Sequence, residues 1–183
     1  MWGRKGWLGG LAVSGLVGCT GEVDVYLVDR SIPEPGGEVG IATFALPLEE
    51  VEAEMEGEWV PLARGPDPYN LLDFSSEPTT VELVGIREEP ARIAHDELSL
   101  GSITALRLQL SPGKLISMTT DEGVMHFLSV PADAEGRWMV DVEMDIEKDT
   151  VTERTLDLRV REGLTIQDDG SWAFVPVLEP VGP

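Results

Sequence analysis

From residue 23 onward the chain alternates apolar and polar residues in short runs bounded by Gly, Pro, Asp and Asn. Period-two alternation places successive side chains on opposite faces of an extended chain, and so predicts strands. The runs are 23–29, 41–46, 51–56, 59–62, 80–84 and 103–110, then 114–118, 124–130, 138–147, 151–161 and 171–178. No window carries a sustained helical stripe; residues 90–97 are the one candidate for a helical turn. Many short strands with regular turns predict an all-β fold, an antiparallel β-sandwich of immunoglobulin-like or transthyretin-like type, as one domain over 23–180.

Two runs predict a register. In 138–147, Val140, Val142, Met144 and Ile146 share one face, and Asp141, Glu143, Asp145 and Glu147 share the other. In 151–161, Leu156, Leu158 and Val160 alternate with Asp157, Arg159 and Arg161. A turn at Lys148–Asp149–Thr150 would form a hairpin with Met144 opposite Leu158, Asp141 opposite Arg161 and Glu143 opposite Arg159. Such cross-strand charge pairs contribute about 0.2–1 kcal/mol each. A second acidic run puts Glu50, Glu52, Glu54, Glu56 and Glu58 on one face with no base interleaved, and Gly57 reads as a turn.

The first residues follow a different pattern. Arg4 and Lys5 precede an uncharged, small-residue-rich stretch from Gly6 to Gly18. It is shorter than the ~20 residues of a spanning helix and has the form of a signal peptide over 1–18. Its end, Leu16-Val17-Gly18-Cys19, resembles the bacterial lipobox, and Cys19 is the only cysteine in the chain. The resemblance implies cleavage before Cys19 and lipidation of its thiol and new amine. Several acyl chains anchor stably where one does not. Thr20, rather than Asp, after the Cys leans by the lipoprotein sorting rule toward the outer membrane. Residues 19–22 then form the lipidated Cys and a short tether.

The chain is 183 residues long, with 34 Asp+Glu against 13 Lys+Arg, a formal charge of −21. That charge argues against nucleic acid as a partner, because phosphates are repelled. The lone cysteine excludes an internal disulfide and a cysteine-cluster metal site.

The order of several segments is similar to a family of uncharacterised bacterial lipoprotein domains. Val25-Tyr26-Leu27-Val28-Asp29 matches its opening strand, and residues 51–59 its strand ending in an acidic turn and Trp. Tyr69-Asn70-Leu71-Leu72-Asp73-Phe74 parallels its "DLL" element, and 98–108 a Gly-containing strand. Leu156-Asp157-Leu158 and Trp172-Ala173-Phe174-Val175-Pro176-Val177 parallel its final pair. The chain departs at Asp29-Arg30-Ser31-Ile32-Pro33, at Ser102-Ile103 where the family has a Tyr, and after Pro131-Ala132. The resemblance implies an all-β sandwich anchored outside the cytoplasm and brings no catalytic residues with it.

Candidate chemistry is sparse. His95 and His126 have no metal-ligand spacing, and His126 beside Phe127 reads as a packed or surface residue. There is no nucleophile elbow, P-loop or HExxH motif. Calcium takes 6–8 oxygens, and the candidate donors are Asp145, Glu147 and Asp149 in one turn and Asp168 and Asp169 in another. A solvated acidic face is the simpler account of those acids. Trp59, Trp138 and Trp172 read as core residues by default, with a ligand platform as the alternative for Trp59. The expectation is a membrane-anchored, non-catalytic binding or structural domain of the bacterial cell envelope. It would hold an envelope protein or glycan, with calcium as the one candidate cofactor. The alternatives are a carboxylate-based hydrolase of envelope glycans, which needs two converging acids in a cleft, and a passive acidic coat component.

Overall fold

The computed structural model describes residues 19–30, 40–62, 79–82, 90–111, 115–130 and 136–182. The expected signal peptide, the 69–74 element and the segment after Pro131 lie outside these residues. The elements are β1 (Thr20–Val28), β2 (Ile41–Met55), β3 (Glu58–Leu62), β4 (Thr79–Glu82), β5 (Ala91–Ser99), β6 (Gly101–Leu110) and β7 (Ile116–Thr120). They continue with β8 (Met125–Ser129), β9 (Arg137–Ile146), β10 (Val151–Leu158), α1 (Val160–Gly163), β11 (Leu164–Ile166), β12 (Trp172–Phe174) and β13 (Leu178–Pro180).

The strands form two open sheets that share one core. The smaller has the order β13-β10-β1-β5; the larger contains the other nine strands. Val23, Val25 and Leu27 of β1 and Leu156 and Leu158 of β10 meet Phe44, Leu46, Leu106 and Leu108 of the larger sheet in that core. Phe174 closes it, with its ring centroid 5.0 Å from Phe44 and 5.6 Å from Trp138. The all-β, sandwich-like expectation holds. The pairing is mixed, however, and not purely antiparallel: β1 runs parallel to β10, and β12 parallel to β8.

Three other expectations are corrected. The helical turn expected over 90–97 is a strand, β5, over Ala91–Ser99. A register shift against β1 at Val25/Tyr26 breaks its alternation and hides the period. Runs 41–46 and 51–56 are one 15-residue strand, β2. Pro47 sits inside it next to a register shift between Leu48 and Glu50, the kind of bulge at which a strand tolerates proline. The hairpin expected from 138–147 and 151–161 does not form. The inside faces are as read, with Val140, Val142, Met144 and Ile146 all buried. Yet β9 pairs with β6, placing Met144 beside Ile103, while β10 crosses to the other sheet beside β1. Arg159 therefore meets Asp157, Glu162 and Glu179, at 3.5, 3.3 and 2.8 Å, in place of Glu143.

The long strand β2 organises the larger sheet. Ala45 has partners in both β4 and β7, and Leu48 in both β4 and β6. A residue has one partner per edge, so β6 and β7 lie end to end along one edge of β2, opposite β4. Outside them, β9 and β8 lie end to end in the same way. The stretch from Gly101 to Ile146 is thus one long, interrupted hairpin whose tip is the turn at 121–124. At its other end β2 turns into β3 through Glu56 and Gly57, with φ of 54° and 83°. Two consecutive left-handed residues define the I′ turn, and Gly57 takes its position without a steric penalty.

Candidate functional site

Thr20, Gly21 and Glu22, expected as a spacer, are already part of β1 and pair with Ser99, Leu98 and Glu97. Cys19, exposed, therefore adjoins the folded body directly. The β2–β3, β5–β6 and β9–β10 turns lie at the same end. Gly101 stands opposite Ile146, and Met55 opposite Ile103. Ile41, at the start of β2, lies beside Thr120 at the other end. At about 3.3 Å per residue, the 15 residues of β2 put roughly 45 Å of strand between the two ends.

The far end holds a cleft of about 430 Å³. Its rim is the hairpin tip. The backbone N–H of Thr120 donates to the Val124 carbonyl at 2.9 Å, and that of Gly123 to the Thr120 carbonyl at 2.8 Å. The Asp121 N–H donates to the Gly40 carbonyl at 2.9 Å, which brings the start of β2 against the tip. The Asp121 carboxylate lies so close over the Gly40 Cα that a Cβ there would overlap it. A side chain at position 40 would therefore displace the carboxylate from this position.

One wall is aromatic. Along β8 the inward-facing row passes from Leu128, 1% exposed, to the partly exposed His126: the core stops there and the cleft begins. Parallel pairing of β12 with β8 sets Trp172 beside Leu128. The Trp172 and His126 rings lie 5.7 Å apart and tilted by 53°. Asp121 and Glu122 are exposed, and among the described lining residues none is Lys or Arg. The site is acidic on one side and aromatic on the other. An aromatic face attracts cations or stacks on planar groups, and carboxylates accept hydrogen bonds.

A second polar cluster lies on the outer face of the smaller sheet. The buried Asp24 carboxylate accepts from Arg92 Nη1 at 3.3 Å and lies 2.8 Å from His95 Nδ1. Tyr26 is beside it; burial, then the Asp24 and Glu153 charges, raise the phenol pKa above its ordinary value. This set is an ion-pair network in which Asp24 joins Arg92 and His95.

The outer acidic face also differs from its reading. Glu50, Glu52 and Glu54 do lie together, but β6 supplies a base between them. The Arg107 guanidinium bonds both oxygens of Glu52, at 2.5 and 2.7 Å, and lies 4.2 Å over the ring of Trp59. The Glu52 hydrogen bond is the main reason that the Arg107 pKa is raised. Trp59 is thus a surface stacking partner, and Trp138 is the core tryptophan, 3% exposed.

The expected calcium ligands lie in separate settings. Asp145 accepts from the Ser102 hydroxyl at 2.7 Å, and Asp149 is a turn residue with φ of 56°. Glu147 is exposed at the end of β9, and its carbonyl accepts from the Thr150 hydroxyl at 2.9 Å. Asp168 and Asp169 are in the β11–β12 turn, where hydrogen bonds from Ser171 lower the Asp169 pKa. Among the described residues no three His, Cys, Asp or Glu side chains are placed to hold a metal ion. No helix among them is long and apolar enough to cross a membrane.

The cleft was not legible in the sequence. His126 and Trp172 are far apart in the chain, and a parallel pairing of β12 with β8, with β9, β10, α1 and β11 between them in sequence, leaves no local pattern. The one available signal was a Trp directly after a Gly-containing turn, Asp168-Asp169-Gly170-Ser171.

The model of a domain of unknown function (DUF4382) matches the chain over residues 20–176. No curated protein and no solved structure matches.

Proposed function

The chain belongs to the DUF4382 domain family, and on that footing we propose that it is a lipid-anchored, non-catalytic ligand-binding domain of the bacterial cell envelope. The observation that carries the binding role is the cleft of Asp121, Glu122, His126 and Trp172, at the end of the sandwich opposite Cys19. A domain tethered at Cys19 holds that cleft away from the bilayer, facing whatever approaches the membrane. The Leu16–Cys19 pattern supports the anchor, and so does a family match that starts at residue 20, directly after the cysteine. The Thr20 sorting signal supports the outer membrane as its place.

A binding role fits the chemistry better than hydrolysis. The cleft offers two adjacent carboxylates on one rim, and not two acids facing each other across a bond to be cut. The anchor is tested by expressing the chain and its Cys19→Ser variant in a bacterial host and fractionating the cells. The native chain is expected in the membrane fraction, with a mass increase of several acyl chains on Cys19. The variant is expected in the soluble fraction. Native chain recovered unacylated and soluble overturns the anchor.

A further inference from the structure

We propose that the far-end cleft takes the guanidinium of an arginine side chain presented by a polypeptide partner. This deepens the reading of the cleft as a binding site and rests on it.

The argument begins with a comparison inside the molecule. On the outer face of the larger sheet a guanidinium is held by two groups, a tryptophan ring 4.2 Å beneath it and a carboxylate that it bonds with two nitrogens. The cleft brings the same kinds of group together. Trp172 supplies the ring, and Asp121 and Glu122 supply the carboxylates. A permanent cation is what the cleft lacks: none of its described lining residues is Lys or Arg, and His126 is its one nitrogen base. Arginine fits such a site better than lysine, because its planar group stacks on a ring while its edge bonds carboxylates.

Charge supports the same ligand. A chain of −21 attracts a cationic partner over distance, and two acids at the cleft mouth focus that field where the ring is. The Asp121 carboxylate packs over the Gly40 Cα, where a Cβ would displace it. A neutral glycan would also stack on Trp172, but it gains nothing from the overall charge.

The test uses the purified full chain and three probes: acetyl-Gly-Arg-Gly-amide, the same tripeptide with citrulline for arginine, and cellotriose. Binding is read from NMR shifts of the Trp172 indole and the His126 ring. The arginine peptide is expected to bind at least tenfold more tightly than the citrulline peptide, which keeps the shape and loses the charge. Its affinity is expected to fall as salt is raised. The double variant Asp121→Asn, Glu122→Gln changes exposed residues only. It is expected to weaken the arginine peptide at least tenfold at an unchanged melting temperature. Gly40→Ala is expected to weaken it as well, by displacing Asp121. Equal binding of the arginine and citrulline peptides overturns the proposal. So does cellotriose binding that shifts Trp172 while the arginine peptide does not, an outcome that leaves the cleft as a binding site for a neutral ligand. If no probe shifts either ring, both the arginine proposal and the cleft's binding role fall.

Discussion

Arg154, on β10 of the smaller sheet, donates from Nη2 to the backbone carbonyl of Glu143, on β9 of the larger sheet, at 2.6 Å. The carbonyl belongs to the outer edge of β9. Two residues along, the Asp145 carbonyl accepts from the Thr152 hydroxyl at 2.9 Å. An exposed strand edge is a template for unwanted pairing, and here side chains of the other sheet occupy it. Arg154→Ala is expected to destabilise by about 1–3 kcal/mol, through loss of this bond and of the one to the Val181 carbonyl. Thr152→Val is expected to cost about 0.5–1.5 kcal/mol. Urea midpoints measure both, and an unchanged midpoint for Arg154→Ala would remove this account of how the sheets are joined.

The Tyr26 phenol contributes a loss of stability at alkaline pH. Its folded-state pKa lies above the ordinary value of 10.0, because burial and the nearby Asp24 and Glu153 charges disfavour the phenolate. Below pH 10 the phenol is neutral in both states, and its contribution is fully present. As pH rises from there through the raised value, the unfolded chain ionises first and stability falls. Tyr26→Phe has no such group. The stability difference between the native chain and this variant is expected to be constant below pH 10 and to shift in the variant's favour above it. A difference that stays flat across that window would mean that Tyr26 is not held in this environment.

Calcium is expected to act on this protein as screening salt. The acids that a cation would need are dispersed. Asp145 is engaged by Ser102, and Asp169 by Ser171. Calcium and magnesium at matched ionic strength are therefore expected to raise the melting temperature equally, by relaxing repulsion within a chain of −21. A saturable rise selective for calcium would show a defined site, through linkage of binding to folding.

Alternation along β9 announced which side chains are buried, because a one-residue slip would bury Asp141, Glu143 and Asp145. It did not announce the neighbour. The four residues between β9 and β10, Glu147 to Thr150, suit a hairpin, but they also suit a step from one sheet to the other. The choice is made by what each strand packs against: β10 finds β1, more than a hundred residues earlier, and β9 finds β6. The Arg107–Trp59 stack was hidden for the same reason, since its members lie on β6 and β3 with β2 between them.

Cys19 and the 121–124 turn stand at opposite ends of strands that run lengthwise between them. Pulling on one while the other is fixed loads β1, β2 and the long hairpin along their axes. The ladder hydrogen bonds then bear the force side by side in shear, and are not peeled open one after another. A partner that tugs on the far cleft would load both sheets lengthwise, and the core between them would carry the force from one sheet to the other.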